Sequence, residues 1–112
     1  MIKSIGLLTR KEGISREEFV RHWLEVHAPL AQAVSGVRRY VQSHIVEERT
    51  RPDIPSTDVE IDGIAELWYD DRAAMERAYA SPEGRRLLAD GALFIGHIKS
   101  FVVEEKVIIP QE

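Results

Sequence analysis

The sequence contains no cysteine. Disulfides, thiolate metal centres and a cysteine nucleophile are excluded at the outset, and a reducing cytoplasm is the compartment that such a chain fits. Long apolar runs are also missing. The N-terminal stretch Ile5 to Leu8 gives way at once to Thr9, Arg10 and Lys11, too short for a signal h-region and far too short to span a bilayer, so no membrane partner is expected. There is no surplus of positive charge either. Lys and Arg number 15 against 19 Asp and Glu, a net charge of −4, and the basic residues are scattered along the chain. Phosphate backbones demand concentrated positive charge, which argues against nucleic acid as a partner. The chain also lacks a Gly-rich phosphate loop, a Rossmann fingerprint, a His-Glu-x-x-His zinc helix and a nucleophile elbow. The expected site therefore holds no cofactor and no metal.

What the chain has in abundance is the balance of a folded protein. Hydrophobic residues make up 44% and charged residues 30% of 112 positions, which suits one globular domain over residues 1–112 rather than a disordered tail. A chain of this size leaves much of its surface wet, so a second subunit covering an apolar face would add stability.

The pattern along the chain gives the order β, α, β, β, α, β. Ile2 to Thr9 reads as a first strand. Ser15, with Glu18 three residues later, forms a capping-box signature, and Phe19, Trp23, Val26, Leu30 and Val34 follow at helical spacing. Ser35-Gly36 ends that helix. Val37 to Glu47 alternates as a second strand, Glu48 to Glu60 with Pro52 and Pro55 reads as a long surface loop of the kind that often covers sites, and Ile61 to Tyr69 as a third strand. Asp70 or Asp71 caps a helix through Tyr79, Ser81-Pro82-Glu83 begins a further helical turn, and His97 to Ile109 forms the last strand. Apolar side chains occur at both parities of these strands. Helices on one face of the sheet leave the other greasy, which predicts a homodimer packed sheet against sheet.

Candidate chemistry rests on a few side chains. His27 stands two residues before Pro29, whose missing N–H and bulky ring should open the helix at the Glu25 carbonyl and could aim the imidazole into a cleft. Tyr40, Gln42 and His44 share a strand face and make a polar row suited to orienting a ligand. Glu66 and Trp68 share a face of the third strand, where a carboxylate beside an aromatic could act as a base raised in pKa by burial. His22, beside Trp23, reads as helix-flank packing, and His97 as a strand-edge residue. His22 and His27 are five apart, a spacing that does not put them on one face of an ordinary α-helix, so a shared metal is not expected.

Four segments together resemble the EthD family of the dimeric α+β barrel superfamily: Glu18 to Leu30 with its Trp23-x-x-x-His27-Ala28-Pro29 core, Gly36 to Gln42, Asp62 to Tyr69 with Ala65-Glu66-Leu67-Trp68, and Ser81 to Gly84. The resemblance implies a ferredoxin-like subunit, a dimer formed by sheet packing, and a cavity between sheet and helices. It also implies small-molecule chemistry, since similar proteins serve ether degradation, fungal polyketide tailoring and lactone isomerisation. His27 and Tyr40 match positions implicated in the sites of such relatives. The lactone isomerases similar to this chain carry a cysteine near the position of Leu67, and its absence here counts against that reaction.

Two readings follow. The first is a small cofactor-independent enzyme acting on an aromatic, lactone or polyketide-like metabolite. In it His27, Tyr40 and Glu66 are catalytic, and His44, Gln42, Trp68 and Trp23 bind substrate. The second is a non-catalytic binding protein for a small hydrophobic molecule. Haem ligation by His27 or His44 is a minor variant of the second.

Overall fold

A computed structural model describes residues 1–111. It contains the strands β1 (Ile2–Arg10), β2 (Arg39–His44), β3 (Gly63–Tyr69) and β4 (Ile95–Val103), with helices α1 (Arg16–His22), α2 (Ala28–Gln32), α3 (Arg72–Ala80) and α4 (Pro82–Phe94). The strands form one antiparallel sheet in the order β2-β3-β1-β4. This is the ferredoxin-like α+β fold expected from the order of elements.

The first helix departs from its expected regularity. Ser15 caps α1 by accepting from the Glu18 N–H, as the capping box requires. Beyond His22 the chain makes a π-helical segment, Trp23–His27, before α2 resumes. Here the Ala28 N–H reaches the Trp23 carbonyl, five residues back. Pro29 supplies the reason, because it can give no N–H to Glu25 and crowds the preceding turn. The wide turn shifts the inward stripe by one residue. Phe19, Trp23, Ala31 and Val34 are buried, while Val26, expected in the stripe, is 47% exposed.

The second helical region is longer than the sequence suggests. What reads as a further turn after Ser81 is a helix of 13 residues, hidden from propensity by Gly84 and Gly91 in its interior. Ser81 closes α3 and caps α4 by accepting from the Gly84 N–H. Asp71, rather than Asp70, caps α3. The last strand stops at Val103, so residues 104–109 lie outside it, and β2 is limited to its central residues.

Strand pairing sorts the side chains. Ser4, Gly6 and Leu8 of β1 stand beside Leu67, Ala65 and Gly63 of β3, and beside Val102, Ser100 and Ile98 of β4. Tyr40, Gln42 and His44 of β2 stand beside the same three β3 residues. All of these face the helices. Two apolar clusters fill the layer between, one of Leu8, Phe19, Trp23 and Phe94, the other of Val34, Tyr69, Met75 and Ala78. Burying each large side chain contributes roughly 1.5–3 kcal/mol. Gly63 is required at its place because a Cβ there would collide with the six-membered ring of Trp23.

Lys3, Ile5, Leu7, Arg39, Val41, Ile64, Glu66, Trp68, Phe101 and Val103 point the other way, to a face without helices. No helix among the described residues is long and apolar enough to cross a membrane.

Candidate active site

A cavity of about 430 Å³ opens between the helix-side face of the sheet and helix α4. Its walls are chiefly apolar: Leu8, Ala65, Leu67, Leu87, Ile95 and Ile98, with Trp23 at one side. Into this wall come a few polar groups, among them His27, Tyr40, Tyr79, Ser4 and Ser100. An apolar pocket with few convergent polar groups is the usual form of a small-molecule site.

His27 is held there by a residue the sequence reading missed. Its Nδ1 lies 2.8 Å from Oδ2 of Asp90 on α4, while Nε2 of His22 lies 3.0 Å from the other carboxylate oxygen. One nearly buried carboxylate thus serves two imidazoles. The π-helical segment makes this possible, because a turn closed by five-residue spacing brings residues five apart onto one side. The expectation that His22 and His27 diverge is therefore corrected. Phe94 stacks on the His22 ring at 4.6 Å and meets the His27 ring edge-on at 5.1 Å, and Gly91 leaves space beside the His27 ring. A signal for Asp90 was available in the sequence as the single charge within Leu87 to Phe94.

This contact fixes the chemistry of His27. A carboxylate accepts the Nδ1–H, which leaves Nε2 as the lone-pair nitrogen open to the cavity. Burial lowers the imidazole pKa from its ordinary 6.5, an effect that Asp90 opposes and His22 reinforces. The ring is consequently neutral near pH 7 and able to take a proton.

The polar row on β2 is also on the cavity side. Gln42 donates one amide hydrogen to the Trp23 carbonyl at 2.9 Å and the other to the Tyr40 hydroxyl oxygen at 2.8 Å. Its own carbonyl oxygen lies 3.0 Å from His44 Nε2, which donates to it. His44 in turn packs on Trp23 with ring centroids 4.6 Å apart. Because its oxygen already accepts from Gln42, the Tyr40 O–H is left to donate into the cavity. Burial pushes the Tyr40 pKa above its ordinary value, against the pull of the Gln42 and Trp23 N–H groups. The hydroxyl keeps its proton at neutral pH. The Trp23 indole N–H makes no well-formed hydrogen bond among the described residues.

Of the seven expected site residues, His27, Tyr40 and Trp23 line the cavity, and Gln42 and His44 sit directly behind Tyr40. Glu66 and Trp68 are not brought to it. They face the helix-free side, where Glu66 lies 2.7 Å from the Lys3 ammonium, and Trp68 donates to Glu105 at 2.5 Å. Strand alternation is the cause: Ala65 and Leu67 take the cavity side, so Glu66 and Trp68 cannot. Nor does the long loop form a cover. None of its residues lines this cavity, and Asp62 at its end instead bonds the Arg10 backbone and side chain at the tip of β1. Among the described residues, no three His, Asp or Glu side chains are arranged to hold a metal ion.

Residues 11–98 match the EthD domain model. The chain belongs to the EthD family. Among curated proteins this EthD chain is 30% identical over 108 residues to a 4-carboxymethyl-4-methylbutenolide mutase of Pseudomonas reinekei, covering 96% of this chain and 100% of the relative. Among solved structures it resembles an EthD family protein of Bacillus halodurans at 26% identity with a TM-score of 0.77, covering 95% of this chain and 99% of that one. It also shares its fold with a dimeric ferredoxin-like protein of Thermobifida fusca at a TM-score of 0.67 and 15% identity, covering 91% and 88% of the two chains.

Proposed function

We infer that this EthD protein is a small, cofactor-independent cytoplasmic enzyme that moves a proton on an aromatic, lactone or polyketide-like metabolite. The observation that carries this reading is the neutral His27, oriented by Asp90, with Nε2 open to an apolar cavity that Tyr40 also lines. In the step envisaged, His27 Nε2 takes a proton from a carbon next to a carbonyl. The C–H electron pair becomes a new C=C bond and the carbonyl oxygen gains the negative charge. Tyr40 donates its hydrogen bond to that oxygen, and the imidazolium then returns the proton at the same or another position. Trp23, Gln42 and His44 hold Tyr40 in place. The relative that is a butenolide mutase supports a lactone among the substrates.

The working unit is a homodimer. The helix-free face carries Ile5, Leu7, Ile64, Phe101 and Val103, which no helix of the same chain covers, and a dimeric protein shares the fold. A second copy packed on that face would enclose Glu66 and Trp68 at the interface. That gives them a role in assembly rather than in the cavity.

The test is solvent deuterium uptake, followed by NMR, with a methyl-substituted butenolide and an aromatic polyketide-like ketone as probes. Wild-type protein should speed uptake, and His27→Gln should remove about 10²–10⁴-fold of the acceleration while the folded spectrum is retained. Equal uptake by both proteins would exclude His27 as the base. The largely apolar wall favours a second reading, a binding protein, for which the probe binds and returns without deuterium.

A further inference from the structure

The sequence suggests helix-flank packing for His22, and its ring does stack on Phe94, with centroids 4.6 Å apart and planes inclined by 27°. Packing does not account for its polar edge. Nε2 lies 3.0 Å from one oxygen of Asp90 and 3.1 Å from the other, and that second oxygen is the one that meets Nδ1 of His27 at 2.8 Å. Asp90 is almost buried. Among the described residues its side chain has no lysine or arginine partner and bonds to these two imidazoles alone. An ionised carboxyl can only accept, so each ring must turn an N–H toward it. Those two N–H groups replace the water that Asp90 gives up.

We propose that His22 is a positioning residue: its N–H keeps Asp90 an ionised acceptor, and so fixes the proton of His27 on Nδ1 with the Nε2 lone pair toward the cavity. This deepens the reading of His27 as a base and rests on it. A buried carboxyl with too few donors takes up a proton rather than stay charged. Without the His22 N–H, Asp90 would be left with one donor. Protonated from water, it would have an O–H to give and would give it to Nδ1 of His27, whose own hydrogen would then reside on Nε2. The imidazole stays neutral and changes only its tautomer. It would present a donor to the substrate where a base is needed.

Long-range nitrogen–proton NMR of the imidazoles at about pH 8, where an ordinary imidazole is neutral, reads the tautomers directly. In wild-type protein His22 should carry its proton on Nε2 and His27 on Nδ1. A His22 proton on Nδ1 would overturn the proposal before any variant is made. His22→Phe keeps a flat ring against Phe94 but has no N–H, and should move the His27 proton to Nε2. Deuterium uptake by the methyl-substituted butenolide should then slow by about tenfold or more, since a base held in the wrong tautomer loses up to about 10⁴-fold. His22→Gln, whose amide can donate to Asp90, should restore the tautomer and most of the uptake. A His27 proton that stays on Nδ1 in His22→Phe would overturn the positioning role, and the base reading would then rest on His27→Gln alone. A proton that moves to Nε2 while uptake keeps its wild-type rate would uphold the positioning role and overturn the base reading.

Discussion

The two faces of the sheet are made from the same four strands and differ in nearly every chemical respect. On the helix side, small residues at Gly6, Gly63 and Ala65 make room for Trp23 and for the cavity, and the polar groups are imidazoles, phenols, the Gln42 amide and the hydroxyls of Ser4 and Ser100, with the Asp90 carboxylate behind His27. On the other side Lys3 lies 2.7 Å from Glu66 and 3.2 Å from Glu105. Burial alone would lower the Lys3 ammonium pKa, but hydrogen bonds and charges from Glu66 and Glu105 outweigh it and raise it. No lysine or arginine lines the cavity on one face, whereas the other pairs Lys3 with two carboxylates. Alternation along a strand is sufficient to separate these environments by the thickness of one backbone layer.

The two tryptophans break or sharpen this contrast most strongly. Trp23 is fully buried in the cluster of Leu8, Phe19 and Phe94, so Trp23→Ala should cost about 3–5 kcal/mol of stability in a urea titration. Trp68→Ala on the open face should cost distinctly less. Equal losses would mean that the second face is as tightly packed as the first. Next in size is the effect of Phe101→Glu, which places a charge on the apolar part of the open face. Light scattering should then report a monomer while NMR signals of His27 remain in place. A dimer that survives unchanged would move the interface elsewhere.

The smallest effect concerns pH. Because the folded pKa of His27 lies below its ordinary 6.5, the unfolded chain binds the extra proton more readily than the folded one. Stability is complete above pH 6.5 and should decline as the pH falls from there toward the folded value. His27→Gln should flatten that slope in denaturation curves collected across the acidic range. An identical slope in both proteins would show that the imidazole is not held neutral by its surroundings.

Much of this was legible from the residues. The order of elements, the capping by Ser15 and Asp71, and the polar row Tyr40-Gln42-His44 follow from local patterns that tertiary contacts leave undisturbed. Pro29 announced a break in the helix, though not its form. Only the structure reveals that the break is a wide turn, which exchanges Val26 for a helix face carrying His22 and His27 together. Asp90 escaped notice because its partners lie 63 and 68 residues away, and no local pattern encodes that distance. Glu66 was placed with the site because a sequence gives the parity of a strand but not which parity the helices cover. The length of α4 was hidden by its two glycines, of which Gly84 is required by close packing, since a Cβ there would collide with the Ala78 carbonyl.

The carbonyl of Trp23 takes two hydrogens, one from Ala28 across the wide turn and one from the Gln42 amide on β2. In an ordinary helix that oxygen would accept from residue 27 alone. Here it accepts from Ala28 and, through its second lone pair, from Gln42, and so becomes a rivet between the segment that carries the imidazole and the strand that carries the phenol. The helical segment of His27 and the strand of Tyr40 are thereby tied together through one carbonyl and the Gln42 amide.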